Sequence, residues 1–142
     1  MPISAHYRDK LALQQLETAI SLFFAGEDYA SVVTLAGAAD EIFGKYLAAD
    51  GKLNSLEEMK KAVAAIHLKL YGEETPPEHI ARRANLAKNS LKHWDLGDPR
   101  IVTFDLRQEA IDMLSRAIDN YWLLAQDLTP AMERIEREVL RA

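Results

Sequence analysis

Apolar residues that recur every three or four positions, between short polar or glycine-containing breaks, most constrain how this chain folds. In the first segment Leu13, Leu16 and Ile20 have this spacing, which aligns them on one face of an α-helix. Alternation of apolar and polar residues never extends beyond a few positions, and the one β-like run is the short segment 101–104. The pattern therefore predicts an all-α protein.

Capping residues, glycines and prolines predict where each helix begins and ends. The expected helices cover about 4–25, 29–49, 56–71, 76–94, 106–127 and 130–141. The expected capping residues are Asp28, Ser55, Thr75, Asp105 and Thr129.

Loops of a few residues between long helices favour antiparallel neighbours. We therefore expect an up-and-down antiparallel bundle of four main helices with one or two accessory helices. Residues 1–142 are expected to form a single domain, in which 129–142 is a peripheral C-terminal helix.

Composition and charge exclude several classes of function. The 142 residues include no cysteine, which excludes disulfides, thiolate metal sites and a cysteine nucleophile. The histidines lack the spacing of helical metal pairs, and the glycine-rich loop of nucleotide-binding proteins is absent, so neither a metal nor another cofactor is expected. Without a signal-like N-terminus or a long apolar run, a cytoplasmic location and no membrane partner are expected. The net charge of −5 means that nucleic-acid binding would need a local basic patch.

One stretch has such a patch, because the segment 79–94 contains four Lys or Arg residues and no Asp or Glu. On a helical projection one stripe is apolar and is expected to face the core: Ile80, Ala84, Ala87, Leu91 and Trp94. The opposite stripe is polar, and three cations flank it. The polar residues are Arg82, Asn85, Asn89 and His93, and the flanking cations are Lys88, Lys92 and Arg83.

Three interpretations of this basic face remain open. It is a solvated helix surface, a binding surface for an anionic partner, or a general acid–base site. In the third case His93 is the acid–base residue, Lys88 or Lys92 stabilises developing negative charge, and Asn89 orients the substrate or the imidazole. Leu86 is apolar and lies near the polar stripe, which suggests contact with a partner chain.

The second predicted helix contains a carboxylate and a run of small residues that bear on the role of the basic face. Asp40 lies in the middle of a helix that is apolar on two sides, and a carboxylate there needs a partner. The basic face of the fourth helix is the candidate, through His93 or a lysine. The small residues 36–39 favour close approach of a neighbouring helix.

Two segments together resemble the HEPN superfamily. Residues 88–93, Lys-Asn-Ser-Leu-Lys-His, are similar to its signature of Arg, a polar residue, any three residues and His. The alanine-rich segment 35–42, followed by Gly44 and Lys45, resembles a group of small bacterial HEPN-like proteins in which a similar helix precedes an Asn-x-x-Lys-His element. The resemblance covers most of residues 10–125.

The resemblance implies a small helical bundle that pairs as a homodimer, with the two motifs in one composite cleft. Active HEPN proteins are metal-independent endoribonucleases, often toxins or host-defence components. By this resemblance His93 would be the acid–base residue, Asn89 the polar orienter and Lys88 the counterpart of the signature arginine. Lysine departs from that pattern because it lacks the planar fork that suits a phosphate.

Either Lys92 or Arg82 then supplies the missing phosphate contact, or the chain is a non-catalytic relative. The nucleic-acid contacts expected on this face are Arg82, Arg83, Asn85 and Lys92, with Asp40 as a supporting acid. Two hypotheses follow. The first is a dimeric module that binds nucleic acid or a partner protein such as a cognate antitoxin. The alternative is an endoribonuclease with His93 as its acid–base residue.

Overall fold

The computed structural model of the protein describes residues 2–74 and 76–142, and all regular structure in these two ranges is helical. Helices make up 73% of the structure, and no strand occurs among the described residues, so the all-α prediction is confirmed. The helices of the described ranges are α1 (Arg8–Ala25), α2 (Tyr29–Ala49), α3 (Ser55–Tyr71), α4 (Pro77–Ala84), α5 (Leu86–Lys92), α6 (Leu106–Ala125) and α7 (Pro130–Ile135). A π-helical turn over Glu136–Leu140 continues α7.

The predicted starts of α2, α6 and α7 are confirmed, whereas α1 begins at Arg8 and not near residue 4. The side chains of Asp28, Asp105 and Thr129 each accept a hydrogen bond from a backbone N–H of the first turn of α2, α6 and α7. The prediction for α3 was wrong by one residue: its cap is Asn54, whose side chain accepts from the Glu57 N–H at 2.9 Å. The cap expected at Thr75 lies outside the described residues.

The long fourth helix predicted to reach residue 94 is two helices in the structure. The helical path is interrupted at Asn85, with φ −104° and ψ 6°, and α5 ends at Lys92. Arg116 of α6 gives a physical reason for the break. Its Nη1 donates to the Ala84 carbonyl at 3.1 Å and to Asn85 Oδ1 at 3.0 Å, so a side chain competes with the helix for the Ala84 carbonyl.

The break also changes which residues of this segment are buried. Ile80 and Ala87 are buried as predicted, but Leu91 and Trp94 are 36% and 53% exposed. The apolar stripe expected over the whole segment is therefore wrong at its C-terminal end. Trp94 lies beyond the end of α5, and the interruption at Asn85 breaks the helical phase on which the stripe depended.

The core is built around α2, which packs against α1, α6 and α5. Large buried side chains from these helices include Leu16, Ile20, Phe43 and Leu114. α7 packs against α1, and its Met132 and Ile135 are fully buried. By contrast, α3 contacts α4 and α6 but has no buried residue.

Among the described helices, none is long and apolar enough to cross a membrane.

Candidate functional site

The residues predicted from the basic segment divide between two clefts. Arg82, Asn89 and His93 line one of them, here called the His93 groove. Asn85 and Lys88 line the other together with Asp40, and this is called the Lys88 cleft.

The His93 groove is a surface depression of about 410 Å³. Its lining residues are Arg82, Leu86, Asn89, Ser90, His93, Trp94, Asp98, Pro99, Ile101 and Val102. His93 is the first residue after α5 and has extended backbone, with φ −126° and ψ 136°. Its N–H donates to the Asn89 carbonyl at 2.9 Å, which ties the last turn of α5 to the groove. One cation, one amide, one imidazole, one hydroxyl and one carboxylate, that of Asp98, therefore share this surface.

Exposed apolar side chains surround these polar groups. Trp94 is 53% exposed, Ile101 82% and Val102 51%. The Arg100 guanidinium lies 5.9 Å from the centre of a Trp94 ring, within the range of a cation–π contact. The groove is thus an amphipathic surface with an exposed aromatic ring beside two arginines and a histidine.

The Lys88 cleft is smaller, about 260 Å³, and lies where α2, the start of α3 and α5 meet α6. Its lining residues are Asp40, Glu41, Gly44, Lys45, Ala48, Asn54, Leu56, Asn85, Lys88, Arg116 and Asn120. Three cations, two carboxylates and three amides converge here, with Leu56 and Ala48 as the apolar part.

Asp40 forms the buried end of this cleft. Its Oδ2 accepts from Arg116 Nη2 at 2.7 Å, and its Oδ1 accepts from Asn120 Nδ2 at 2.8 Å. Burial raises the pKa of Asp40, and the positive charges of Arg116 and Lys88 oppose that rise. The sequence correctly indicated that Asp40 needs a partner, but its hydrogen-bonding partners come from α6 and not from the basic segment.

Glu41 lies between two lysines at the mouth of the cleft. Lys45 Nζ is 3.1 Å from Glu41 Oε1, whereas Lys88 Nζ is 3.8 Å from Glu41 Oε2, beyond hydrogen-bonding distance. The hydrogen bond from Lys45 lowers the pKa of Glu41, and the charge of Lys88 acts in the same direction.

Lys88 reaches the cleft along a gap that Gly37 leaves in α2. A Cβ atom at position 37 would lie 2.6 Å from Lys88 Cδ and 2.8 Å from its Cγ. The close approach expected of the small residues 36–39 is therefore made by a lysine stem. Lys88 and His93 line different clefts, so the sequence motif of residues 88–93 does not form one cluster within a single chain.

The remaining predicted contacts lie outside both clefts. Arg83 forms an exposed ion pair with Glu109 at 3.3 Å. Lys92 is exposed at the end of α5, and its charge contributes to lowering the pKa of Glu41.

Two residues of the buried network were not predicted from the sequence. Arg116 and Asn120 are four residues apart in α6, beside buried Met113, Ala117 and Ile118. Polar residues at core-facing spacing were the available signal, and they indicate a buried polar network when a carboxylate such as Asp40 needs partners. Asn120 Oδ1 also accepts from the Ser55 N–H at 2.7 Å, so the same side chain holds the start of α3.

Within residues 2–74 and 76–142 no three His, Cys, Asp or Glu side chains lie close enough together to hold a metal ion. Comparisons of the chain with protein-family models, with curated proteins and with solved structures find no match.

Proposed function

We propose that this chain is a HEPN-like, homodimeric binding module for single-stranded nucleic acid, with the His93 groove at or beside the interface of the two copies. The proposal rests on one observation: Arg82, Asn89 and His93 line the same surface groove as several exposed apolar side chains. Under this proposal the main helices form the up-and-down bundle expected from the short loops. The packing of α2 against both α1 and α6 supports that arrangement.

The apolar rim supports a second copy as the partner. Leu86, Ile101 and Val102 are all exposed and line the same groove, and under this proposal Trp94 lies outside the dimer interface and stays open to a ligand. Large contiguous apolar patches on the surface of a soluble protein mark interaction surfaces. A two-fold interface over this rim would bring two copies of the groove together.

The polar part supports nucleic acid as the ligand. Trp94 with Arg100 at 5.9 Å offers an aromatic and guanidinium surface on which a base can stack. Arg82 and His93 lie in the same groove and suit a phosphate. Because the whole chain has a net charge of −5, binding must depend on this local arrangement.

Sedimentation velocity at micromolar concentration tests the dimer. We expect the unmodified chain to sediment as a dimer and Ile101→Arg to sediment as a monomer, because the charge would be buried at the interface. Ile3→Arg is the matched control, since Ile3 is also fully exposed but belongs to the N-terminal segment. A monomeric unmodified chain would overturn the homodimer proposal.

Fluorescence anisotropy with labelled single-stranded RNA in the presence of a chelator tests the ligand. Each phosphate contact contributes about 0.7 to the slope of log affinity against log salt concentration for a single strand. Arg82→Ala should therefore weaken binding and reduce that slope by about 0.7, whereas Arg8→Ala, at the exposed start of α1, should change neither. Unmeasurable binding at low salt would contradict a nucleic-acid ligand.

An endoribonuclease is the second candidate, favoured by the shared position of Asn89 and His93 in the groove. In that case Arg82 would supply the cation for the scissile phosphate, because Lys88 lines the other cleft. RNA cleavage in the presence of a chelator that is lost in His93→Ala would support the enzyme. Cleavage that persists in His93→Ala would assign the activity to a contaminant or to other residues.

A protein partner such as a cognate antitoxin, expected from the resemblance, would compete for the same surface. Co-expression with a candidate partner should then protect Trp94 from fluorescence quenching by acrylamide. Trp122 is 46% exposed on α6 and outside the groove, so Trp94→Phe separates the two signals.

A further inference from the structure

The charges of the Lys88 cleft leave one ammonium group without a matched carboxylate. Asp40 is paired with Arg116 at 2.7 Å, and Glu41 is paired with Lys45 at 3.1 Å. Lys88 has only the more distant contact with Glu41, at 3.8 Å. The cleft therefore has a surplus of one positive charge, and that charge belongs to Lys88.

Most of this side chain is covered, because its stem packs against Gly37. The Lys88 side chain is 13% exposed, compared with 74% for Lys45. Among the described residues, Lys88 Nζ has no hydrogen-bond acceptor within 3.5 Å. An ammonium group offers three donors, and this one donates to no protein acceptor in the described residues, so its donors are available to a ligand.

Two amide groups of the same cleft also have donors to spare. Asn54 and Asn85 each use the side-chain oxygen, as acceptors for the Glu57 N–H and for Arg116. No acceptor for either amide NH₂ occurs among the described residues. A molecule with acceptor oxygens in the cleft could therefore receive hydrogen bonds from Lys88 and Asn85 at the start of α5 and from Asn54 before α3.

The size and the apolar lining of the cleft limit the ligand further. About 260 Å³ accommodates a molecule of a few carbon atoms, and Leu56 with Ala48 offers contacts for an apolar end. A single surplus charge matches a monoanion better than a dianion, since Asp40 and Glu41 would repel a second negative charge.

We propose that the Lys88 cleft binds a small monocarboxylate, with its carboxylate on Lys88 Nζ and its short apolar end towards Leu56 and Ala48. Asn54 and Asn85 donate further hydrogen bonds to the carboxylate oxygens. The proposal goes beyond the proposed function and is independent of it, because the site shares no lining residue with the His93 groove.

NMR titration with sodium butyrate, against sodium chloride at equal ionic strength, tests the site through the side-chain amide signals of Asn54 and Asn85. We expect saturable shifts of both signals with butyrate and none with butyramide, which has the same shape but no charge. Equal shifts with chloride would mean non-specific anion binding, and tighter binding of phosphate than of butyrate would mean a dianion site. Either result would overturn the proposal.

Two lysine variants test whether the ammonium group of Lys88 binds the carboxylate. Lys88→Met keeps a long apolar stem against Gly37 but removes the ammonium group, and should lower butyrate affinity about tenfold or more, the usual effect of losing a charge-assisted hydrogen bond. Lys92→Met, one turn further along α5 and exposed, should leave affinity unchanged. Equal losses in both variants would assign the effect to the general charge of the segment, and unchanged affinity in Lys88→Met would rule the site out.

A variant at a second lining position, Gly44, keeps the test valid if Lys88→Met folds poorly. A Cβ at position 44 would lie 3.2 Å from Asn54 Nδ2, so Gly44→Ala narrows the cleft beside one of the proposed donors. We expect weaker butyrate binding with unchanged RNA binding at the His93 groove. Unchanged butyrate affinity in this variant would also contradict the proposal.

Discussion

Arg116 connects three parts of the molecule through one guanidinium group. It donates to Asp40 on α2 and to Ala84 and Asn85 at the break between α4 and α5. Its side chain is only 10% exposed. Because water reaches the pair little, the charges of Arg116 and Asp40 are stabilised mainly by each other. Removing one member of such a pair leaves an uncompensated charge, whereas removing both is usually much milder.

Arg116→Met should therefore lower the free energy of unfolding at neutral pH by about 3–5 kcal/mol. Urea denaturation measures this loss. Arg116→Met combined with Asp40→Asn is the control, and we expect it to be clearly more stable than Arg116→Met alone. Equal stability of the two variants would mean that the pair is not energetically coupled.

The same pair predicts a dependence on pH. Because burial raises the pKa of Asp40 from its ordinary value of 3.8, the folded protein binds this proton more tightly than the unfolded chain does. The stabilisation that proton binding by Asp40 contributes is thus complete when the pH is below the pKa of the unfolded chain. It is lost as the pH rises through the higher pKa of the folded protein. In Arg116→Met the pKa should rise further, so the destabilisation should be smaller at mildly acidic than at neutral pH in parallel denaturation curves.

Gly37 and Lys88 should also show coupled effects. Alanine at position 37 gains about 0.5–1 kcal/mol in a helix interior, but its Cβ would overlap the Lys88 stem. In a Lys88→Ala background only the Lys88 Cβ remains nearby, at 3.7 Å, an ordinary contact. We expect Gly37→Ala to raise the free energy of unfolding in the Lys88→Ala variant. In the original chain the same substitution should raise it less or lower it, as urea denaturation would measure. An equal change in the free energy of unfolding in both backgrounds would contradict the contact between position 37 and the Lys88 stem.

At the scale of elements, α3 differs from the other long helices because it buries no residue. Its attachment is concentrated at its start, where Asn54 caps it and Asn120 Oδ1 accepts from the Ser55 N–H at 2.7 Å. A cavity of about 720 Å³ lies between α3, α4 and α6. A helix held in this way is expected to open without global unfolding.

Native-state hydrogen exchange tests this attachment. Amides of α3 should exchange faster than those of α2 and α6, and Asn120→Ala should accelerate α3 further, because the Ser55 N–H and Asp40 each lose a partner. The loss of satisfied buried groups should also cost about 1–3 kcal/mol globally. Thr129→Ala, which removes the cap of α7 only, should leave α3 exchange unchanged.

Most helix boundaries could be predicted from the sequence because caps and breaks are local. The bounds of α2 and the caps of α6 and α7 follow from residues within the same few turns. The break at Asn85 could not be predicted in this way, because its cause is Arg116, 31 residues further along the chain. Likewise the division of the residues of segment 79–94 between two clefts could not be predicted, because it depends on the packing of this segment against α2 and α6.

The whole molecule depends on its C-terminal segment for a complete core. Met132 and Ile135 of α7 are fully buried, and α7 packs against α1. Met132→Ala should therefore lower the free energy of unfolding by about 2–5 kcal/mol. Met132→Leu, which nearly conserves volume, should cost less than about 1.5 kcal/mol, and thermal unfolding followed by circular dichroism would measure both. A negligible effect of Met132→Ala would contradict the burial of α7.

The path of the chain between α2 and α6 determines where the protein can accept insertions and deletions. It leaves α2 at Ala49 and next packs on it through α5, before α6 begins at Leu106, so α3 and α4 form one long excursion. Closing a flexible loop twice as long costs only about 0.6 kcal/mol more. Insertions and deletions should therefore be tolerated in this excursion far better than in α1, α2 or α6. Both clefts draw residues from it, so new binding specificities can arise by exchanging this segment while the central helices stay unchanged.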